Sequence, residues 1–240
     1  SKLLFKGEEL VSVQTPGGAA ALRLVRELLN LIGIKKVLIS DPTWPNHLNI
    51  FSTFEIIRYP YPKFELNTTD AAIILQPSCH NPTGIDLSEN AWDQILDKCQ
   101  QNRLIPIFDV AYFGLKGDGE MYPVLKAIDR GIECFITISF SKNFGLYAER
   151  IGMLSILTKG SREALMSNLK VIIRSIYSNP PQHGSLLIRE ILQDPVLKKR
   201  WEEELLKMRQ QIGEARKLLG IEGVGMFSVL PLTVEQIERL

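Results

Sequence analysis

The sequence is organised around the stretch Ser-Phe-Ser-Lys-Asn-Phe-Gly-Leu-Tyr-Ala-Glu-Arg-Ile-Gly, residues 139–152. Apolar runs at 134–138 and 151–157 flank it, and both are predicted to be buried strands. Lys142 therefore lies just beyond a strand end. Burial and neighbouring cations lower the pKa of a lysine, and the neutral amine can attack a carbonyl to form a Schiff base.

The residues around Lys142 suit a phosphate group. Ser139 and Ser141 supply hydroxyl donors, and Arg150 supplies a guanidinium that can bind two phosphate oxygens at once. Taken alone, the stretch is equally compatible with a surface loop that carries one basic residue. The rest of the sequence has to decide between these interpretations.

The stretch resembles the cofactor-lysine motif of the aspartate and aromatic amino acid aminotransferases, Ser-x-Ser-Lys-Asn-x-Gly-Leu-Tyr-x-Glu-Arg-x-Gly. These proteins are class I pyridoxal-phosphate enzymes. The resemblance implies that Lys142 holds pyridoxal 5′-phosphate covalently. It also implies that Ser139 and Arg150 bind the phosphate of that cofactor.

A glycine turn, Pro16-Gly17-Gly18, separates a short predicted strand at 11–15 from a helix predicted over 19–32. Free N–H groups and the helix dipole favour an anion at such a helix start. The family has Gly-Gly-Thr-Gly-Ala-Leu-Arg here, so the resemblance implies that Gly18 and Ala19 contact the phosphate. Ala19 lacks the threonine hydroxyl of the family.

The loop Asp41-Pro42-Thr43-Trp44-Pro45-Asn46-His47 follows a predicted strand at 36–40. Its two prolines predict a rigid, extended segment. It matches the family's Pro-Thr-Trp-x-Asn-His. The resemblance implies that Trp44 stacks on the cofactor ring, and that His47 lies behind the aspartate that binds the ring nitrogen.

Two more strand-end loops match the family. His80-Asn81-Pro82-Thr83-Gly84 is a turn by its own chemistry, and the resemblance implies that Asn81 binds the 3′-oxygen of the cofactor. The second loop is Asp109-Val110-Ala111-Tyr112-Phe113-Gly114, which begins with a carboxylate at a strand end. Such a carboxylate needs a cation if it is buried, and a protonated pyridine nitrogen can be that cation. The resemblance implies that Asp109 pairs with that nitrogen and that Tyr112 donates to the 3′-oxygen. Lys142, Asp109 and Tyr112 are the predicted catalytic residues.

Arg174 lies near the end of a helix predicted over 161–176. The resemblance implies that it binds the distal carboxylate of the substrate across a homodimer interface, with Trp44 and Asn81 as further substrate-binding residues. The alternative is that Arg174 only caps the helix C-terminus.

Strands alternate with helices, and the candidate residues follow strand ends. This pattern predicts a mostly parallel open sheet flanked by helices, with the site at the carboxyl ends of the strands. The resemblance implies a large α/β domain of the PLP-dependent transferase fold type I at residues 1–184. A long connecting helix, bent near Pro195, and the start of a smaller α+β domain are expected at 185–240.

The composition is that of an ordinary globular protein, 45% hydrophobic and 23% charged. The net charge of +1 gives no general attraction to nucleic acid or membrane, and neither a membrane-spanning helix nor a signal peptide at residues 1–7 is expected.

The cysteines Cys79, Cys99 and Cys134 lack metal-ligand spacing, and no metal site is expected. They are predicted to be reduced core thiols of a cytoplasmic protein rather than a redox site.

The implied function is transamination between aspartate or glutamate and a 2-oxo acid in a homodimer, with aromatic amino acids as further candidate substrates. Two alternatives stay open at this point. One is another pyridoxal-phosphate chemistry on the same fold, such as a β-lyase or a decarboxylase. The other is a truncated, non-catalytic protein that binds the cofactor or is structural. The sequence is also shorter than the family near residues 63–66 and 219–222.

Overall fold

A computed structural model describes residues 10–239 of the chain; the expectation for residues 1–7 lies outside this range. The strands are β1 Val11–Thr15, β2 Lys36–Asp41, β3 Glu55–Pro60, β4 Ala72–Leu75, β5 Ile105–Val110, β6 Cys134–Ser139 and β7 Gly152–Leu157. The helices are α1 Gly18–Leu31, α2 Pro45–Ile50, α3 Glu89–Gln101, α4 Tyr122–Asp129, α5 Arg162–Ile176, α6 His183–Gln193, α7 Pro195–Leu218 and α8 Val234–Glu238.

The strands form one sheet in the order β1-β7-β6-β5-β4-β2-β3. Strands β2 to β6 run parallel to their neighbours within that group, and β7 is antiparallel to both β1 and β6. Helices α3 and α4 pack on one face and α1 and α5 on the other, so each face has its own apolar core. Burial on both faces explains why the central strands are almost continuously apolar. The predicted mostly parallel α/β sheet is confirmed.

Most predicted elements agree with the structure to within one or two residues. Helix α3 begins after Ser88, whose hydroxyl accepts a hydrogen bond of 3.2 Å from the N–H of Ala91, the pattern of an N-cap. The three cysteines are unpaired and buried, as predicted. In the part of the chain that the structure describes, no helix is both long and apolar enough to cross a membrane.

The local structure differs from the predictions in three places. The loop at 41–47 is not extended throughout, because α2 begins at Pro45; a proline is tolerated in a first helical turn, where its missing N–H is not needed. The long helix expected after residue 184 does change direction where its bend near Pro195 was predicted, but it is fully interrupted there and divided into α6 and α7. The carboxylate of Asp194 accepts from the N–H groups of Val196 and Leu197 and caps α7 there. Helix α4 was not predicted.

Candidate active site

A cavity of about 270 Å³ opens where the carboxyl ends of the central strands meet the start of α1. All nine residues predicted to hold the cofactor line it: Gly18, Ala19, Trp44, Asn81, Asp109, Tyr112, Ser139, Lys142 and Arg150. The remaining lining residues are Gln76, Ala111, Ser141, Tyr147 and Phe227. Side chains spread over more than a hundred positions of sequence thus share one small space.

One end of the cavity is built to receive an anion. Helix α1 starts at Gly18 with no acidic residue in its first turn, so its positive dipole is not neutralised. Gly17 has φ +88°, and a Cβ atom there would lie 2.4 Å from the guanidinium of Arg150. Only glycine therefore lets the Arg150 side chain lie this close to the start of the helix. The hydroxyl of Ser139 completes this end, 3.2 Å from that of Ser141.

The other end of the cavity holds a buried carboxylate. His47 Nε2 lies 3.0 Å from Asp109 Oδ2, and the hydroxyl of Thr137 donates to Asp109 Oδ1 at 3.1 Å. Thr43 Oγ1 lies 2.8 Å from Nδ1 of His47 and fixes that ring in turn. Both oxygens of Asp109 are thus oriented by protein groups while the carboxylate faces the cavity.

A pair of polar side chains lies along the cavity wall. Nδ2 of Asn81 donates to the hydroxyl of Tyr112 at 3.0 Å. Burial raises the pKa of Tyr112 to about 12, so the phenol keeps its proton at neutral pH. Because that oxygen already accepts from Asn81, its own proton is available to another acceptor in the cavity.

Gln76 holds Asn81 in place. Its Oε1 accepts from the N–H of Asn81 at 2.9 Å, and its Nε2 donates to the Asn81 carbonyl at 3.1 Å. This reciprocal pair works like one rung of a β-ladder and fixes the peptide from which the Asn81 side chain projects. This role could not be predicted from the sequence, because Gln76 stands at the end of an apolar run with no motif of its own.

Lys142 lies between the two ends of the cavity. Its Nζ is 5.0 Å from the centroid of the Tyr112 ring. Burial lowers the pKa of Lys142, while Asp109 raises it and Arg150 lowers it. A lysine with a lowered pKa has a larger fraction of neutral amine at physiological pH and is a better nucleophile and base.

Arg174 is not part of this cavity. It is exposed in the last turn of α5, and it does not line the space that Lys142 occupies. A residue that serves a second subunit has to lie outside its own site, so the position agrees with the expected role. That role stays a prediction.

Two further residues of the site, Thr137 and Phe227, could not be predicted from the sequence. Thr137 is an ordinary strand residue in sequence, yet it is the register partner of Asp109 across β5 and β6, and only the strand pairing reveals it. Phe227 lines the cavity from a segment far along the chain. The family resemblance implied the start of a smaller domain in this part of the chain, not a wall of the site.

Residues 3–221 match the family model for aminotransferase class I and II. The chain belongs to the class I and II aminotransferases. Aspartate aminotransferase of Pseudomonas aeruginosa is 36% identical to it over 277 residues, covering the whole of this chain and 69% of the relative. The aromatic-amino-acid aminotransferase of Escherichia coli is 33% identical, covering 99% of this chain and 69% of the relative.

Solved structures agree with this assignment. The aromatic-amino-acid aminotransferase of Burkholderia pseudomallei, covalently bound to pyridoxal phosphate, superposes with a TM-score of 0.90 at 34% identity. The superposition covers 99% of this aminotransferase and 70% of that chain. These matches confirm the predicted family and fold type, and they favour transamination with pyridoxal phosphate over the two alternatives.

The cavity of this aminotransferase fits pyridoxal 5′-phosphate. A hypothetical Cβ atom on Gly18 would lie 3.2 Å from Cβ of Ser139, so the glycine leaves the start of α1 clear for a phosphate. The carboxylate of Asp109, at the far end, matches a protonated ring nitrogen. Lys142 lies between them with an amine suited to an aldehyde. The residues present therefore match the phosphate, the ring and the reactive carbon of this cofactor.

Proposed function

We propose that the chain catalyses pyridoxal-phosphate-dependent transfer of an amino group between an amino acid and a 2-oxo acid. The amino acid is aspartate or glutamate, with aromatic amino acids as further substrates. The observation that carries the proposal is the position of Lys142, whose pKa is lowered. It shares one cavity with the buried carboxylate of Asp109 and with the anion cradle, our name for the start of α1 together with Ser139 and Arg150.

The cradle would hold the phosphate of the cofactor. The N–H groups at the start of α1, the hydroxyl of Ser139 and the guanidinium of Arg150 supply donors and positive charge. Ala19 contributes its backbone N–H alone at this end. Trp44 offers a flat apolar face for the ring, and its own ring lies edge-on to His47 at 5.2 Å.

Asp109 would hold the ring nitrogen in its protonated form. The bound cofactor, so protonated, supplies an electron sink that acidifies the Cα proton of an amino-acid substrate. Asn81 and Tyr112 would hold the 3′-oxygen, the tyrosine through its free proton. Lys142 would hold the cofactor through its amine, and its free amine would serve as the base that takes the Cα proton at Nζ.

Several wider properties are part of the same proposal. Arg174 would bind the distal carboxylate of the substrate in the site of a second subunit, which requires a homodimer. Residues 1–184 would be the large domain, and residues 185–240 the connecting helices with part of a small one. The proposed cytoplasmic location agrees with three buried, unpaired cysteines.

The test is to add pyridoxal 5′-phosphate to the purified chain and record its visible spectrum before and after aspartate. The experiment then follows oxaloacetate and glutamate after 2-oxoglutarate is added. A spectral change with formation of both products supports transamination. Products of β-elimination or decarboxylation without glutamate would favour one of the other chemistries, and an unchanged spectrum would favour a non-catalytic protein.

A further inference from the structure

The side chain of Arg216 is buried near the end of α7, with 8% of its surface exposed. Its hydrogen-bond partners within the described residues are all main-chain carbonyl oxygens. Nη1 donates to Gly225 at 3.0 Å and to Phe227 at 2.9 Å, and Nη2 donates to Glu222. A buried cation with such partners needs an explanation, because removing a guanidinium from water is costly.

The three carbonyls belong to one short segment, residues 222–227, which we call the 222–227 loop. Planar guanidinium groups present several donors in a fixed geometry. Arg216 therefore determines the path of this loop, which otherwise lacks helical or strand structure. The glycine at 225 has φ +76° and leads the chain around the guanidinium.

The same loop is attached to the cofactor-binding turn. The N–H of Val224 donates to the carbonyl of Gly84 at 2.7 Å. A Cβ atom on Gly84 would lie 2.5 Å from the carbonyl oxygen of Phe227 and 2.8 Å from Nη2 of Arg216. The turn that carries Asn81 and the 222–227 loop are thus in direct contact, with the guanidinium packed between them.

The last residue of the loop reaches the active site. Phe227 lines the cavity, and its ring stands edge-on to that of Tyr112, with 5.9 Å between the centroids. Yet Phe227 is 40% exposed, so packing alone holds it weakly. Its position depends on the hydrogen bonds that fix the backbone behind it.

We propose that Arg216 is a positioning residue for substrate binding. Its guanidinium holds the 222–227 loop so that Phe227 forms the outer wall of the cavity. The proposal rests on the proposed function, since the wall is expected to contact the amino-acid substrate. Arg216 itself touches neither the cavity nor any residue placed in the catalytic set, and it acts through Phe227.

The first test measures the loop without cofactor or substrate. Hydrogen exchange at the Val224 amide should be slow in the full chain, because this N–H is bonded to Gly84. In Arg216→Met exchange at this amide should become at least about tenfold faster, because the loop then opens more often by local unfolding. Lys217→Met is the matched control, because Lys217 is an exposed basic residue of the same helical turn. In this variant the exchange rate of the Val224 amide should not change.

The folded state has to be preserved for this comparison. Exchange in strand β6 should remain as slow in Arg216→Met as in the parent chain. If Arg216→Met unfolds, Arg216→Lys provides the second variant, because it keeps the charge and loses the planar set of donors. Unchanged exchange at Val224 in a folded variant would overturn the proposal.

The second test separates positioning from a merely structural role. Arg216→Met should raise KM for the amino-acid substrate about tenfold and leave kcat within about threefold, the pattern of lost substrate binding. In a Phe227→Ala background the same substitution should raise KM by less than about twofold, because the wall is already gone. Equal effects in both backgrounds would show that Arg216 does not act through Phe227.

Failure of the proposed function and failure of the positioning role give different results in these experiments. A parent chain with no transaminase activity would overturn the proposed function, and the exchange rates would still decide whether Arg216 fixes the loop. Faster exchange at Val224 together with an unchanged KM would overturn the positioning role. Faster exchange, a raised KM and coupling to Phe227 together support it.

Discussion

Nε2 of His47 lies 3.0 Å from Oδ2 of Asp109, and the side chains are 0% and 7% exposed. The hydroxyl of Thr43 is hydrogen-bonded to Nδ1, the other nitrogen of the histidine ring. If the threonine hydroxyl donates to Nδ1, the ring proton lies on Nε2 and points at the carboxylate. Thr137 donates to the second carboxylate oxygen. The carboxylate is therefore oriented before any cofactor arrives.

Asp109→Asn should reduce catalysis more than it reduces cofactor binding. The amide cannot keep the ring nitrogen protonated, so the loss falls on the transition state. We expect kcat/KM to fall by at least about tenfold, or about 1.4 kcal/mol, with the dissociation constant for pyridoxal phosphate changing less. Asp118→Asn, at an exposed carboxylate, is the control. A smaller kinetic effect would mean that Asp109 is not the partner of the ring.

Lys142→Ala should abolish turnover and leave noncovalent cofactor binding, because the phosphate and ring contacts come from other residues. Borohydride treatment followed by intact mass measurement should show a cofactor adduct in the parent chain and none in the variant. Lys159→Ala removes an exposed lysine and should keep both the adduct and the activity. Transamination near the parent rate in Lys142→Ala would refute the assignment.

The lowered pKa of Lys142 also predicts how stability without cofactor depends on pH. Burial depresses the folded-state pKa below the ordinary 10.5, so the unfolded chain binds more protons between those two values. Stability should therefore rise with pH across that window and level off above about 10.5.

Lys142→Met removes this contribution. The difference in unfolding free energy between the parent and Lys142→Met should change in favour of the parent as pH rises through the window. Urea titrations between about pH 7 and 11 measure it. A difference that does not vary with pH would mean that Lys142 is not desolvated in the folded chain.

His80 gives the same trend at lower pH. Burial lowers its pKa to about 4, helped by His47, while an unfolded histidine titrates near 6.5. The unfolded chain binds the extra proton between these values, so stability falls as the pH drops from about 6.5 to 4. The loss attributable to His80 is about 3 kcal/mol.

His80→Asn should lose that pH-dependent contribution. Its unfolding free energy should approach that of the parent as the pH falls from 7 to 4. His183→Asn, at an exposed histidine paired with Glu149, should show little of this convergence. Parallel curves for the parent and His80→Asn would show that His80 is not held neutral.

Arg174→Ala tests substrate choice. A guanidinium that binds a carboxylate through two hydrogen bonds contributes about 1.5–3 kcal/mol. We therefore expect kcat/KM for aspartate and glutamate to fall by roughly tenfold to a hundredfold, with a much smaller loss for phenylalanine or tyrosine. Lys170→Ala on the same helix is the control. Equal losses for acidic and aromatic substrates would support a simple helix-capping role.

The homodimer is tested separately, by light scattering on the active protein. If the site borrows Arg174 from a second subunit, the active species has to have at least twice the mass of one chain. Mixing Arg174→Ala with Lys142→Ala should then restore some activity, because one hybrid site contains both intact residues. An active monomer would exclude this arrangement.

The strand-end residues were predictable because their motifs are local. Asn81, Asp109 and Lys142 each follow an apolar run, and a parallel sheet brings such ends together. Thr137 and Gln76 were not predictable in the same way. Their roles depend on strand register and on a contact between two turns, and neither leaves a pattern in the nearby sequence.

The differences between predicted and observed local structure have a related cause. The prolines predict an extended loop, but a proline also suits the first turn of a helix, and α2 begins at Pro45. The break between α6 and α7 is made by Asp194, whose carboxylate caps the following turn. In both cases one residue type supports two backbone conformations, and the tertiary structure selects between them.

The lining of the cavity has consequences for protein engineering. A side chain at Gly17, beside the cavity, would collide with Arg150, and the carboxylate of Asp109 is held by His47 and Thr137. Libraries at these two positions would therefore yield mostly inactive variants. Tyr147 and Phe227 are 53% and 40% exposed and lie outside the sheet. A search for new substrate preferences should diversify those two positions first, where side chains can change without disturbing the core.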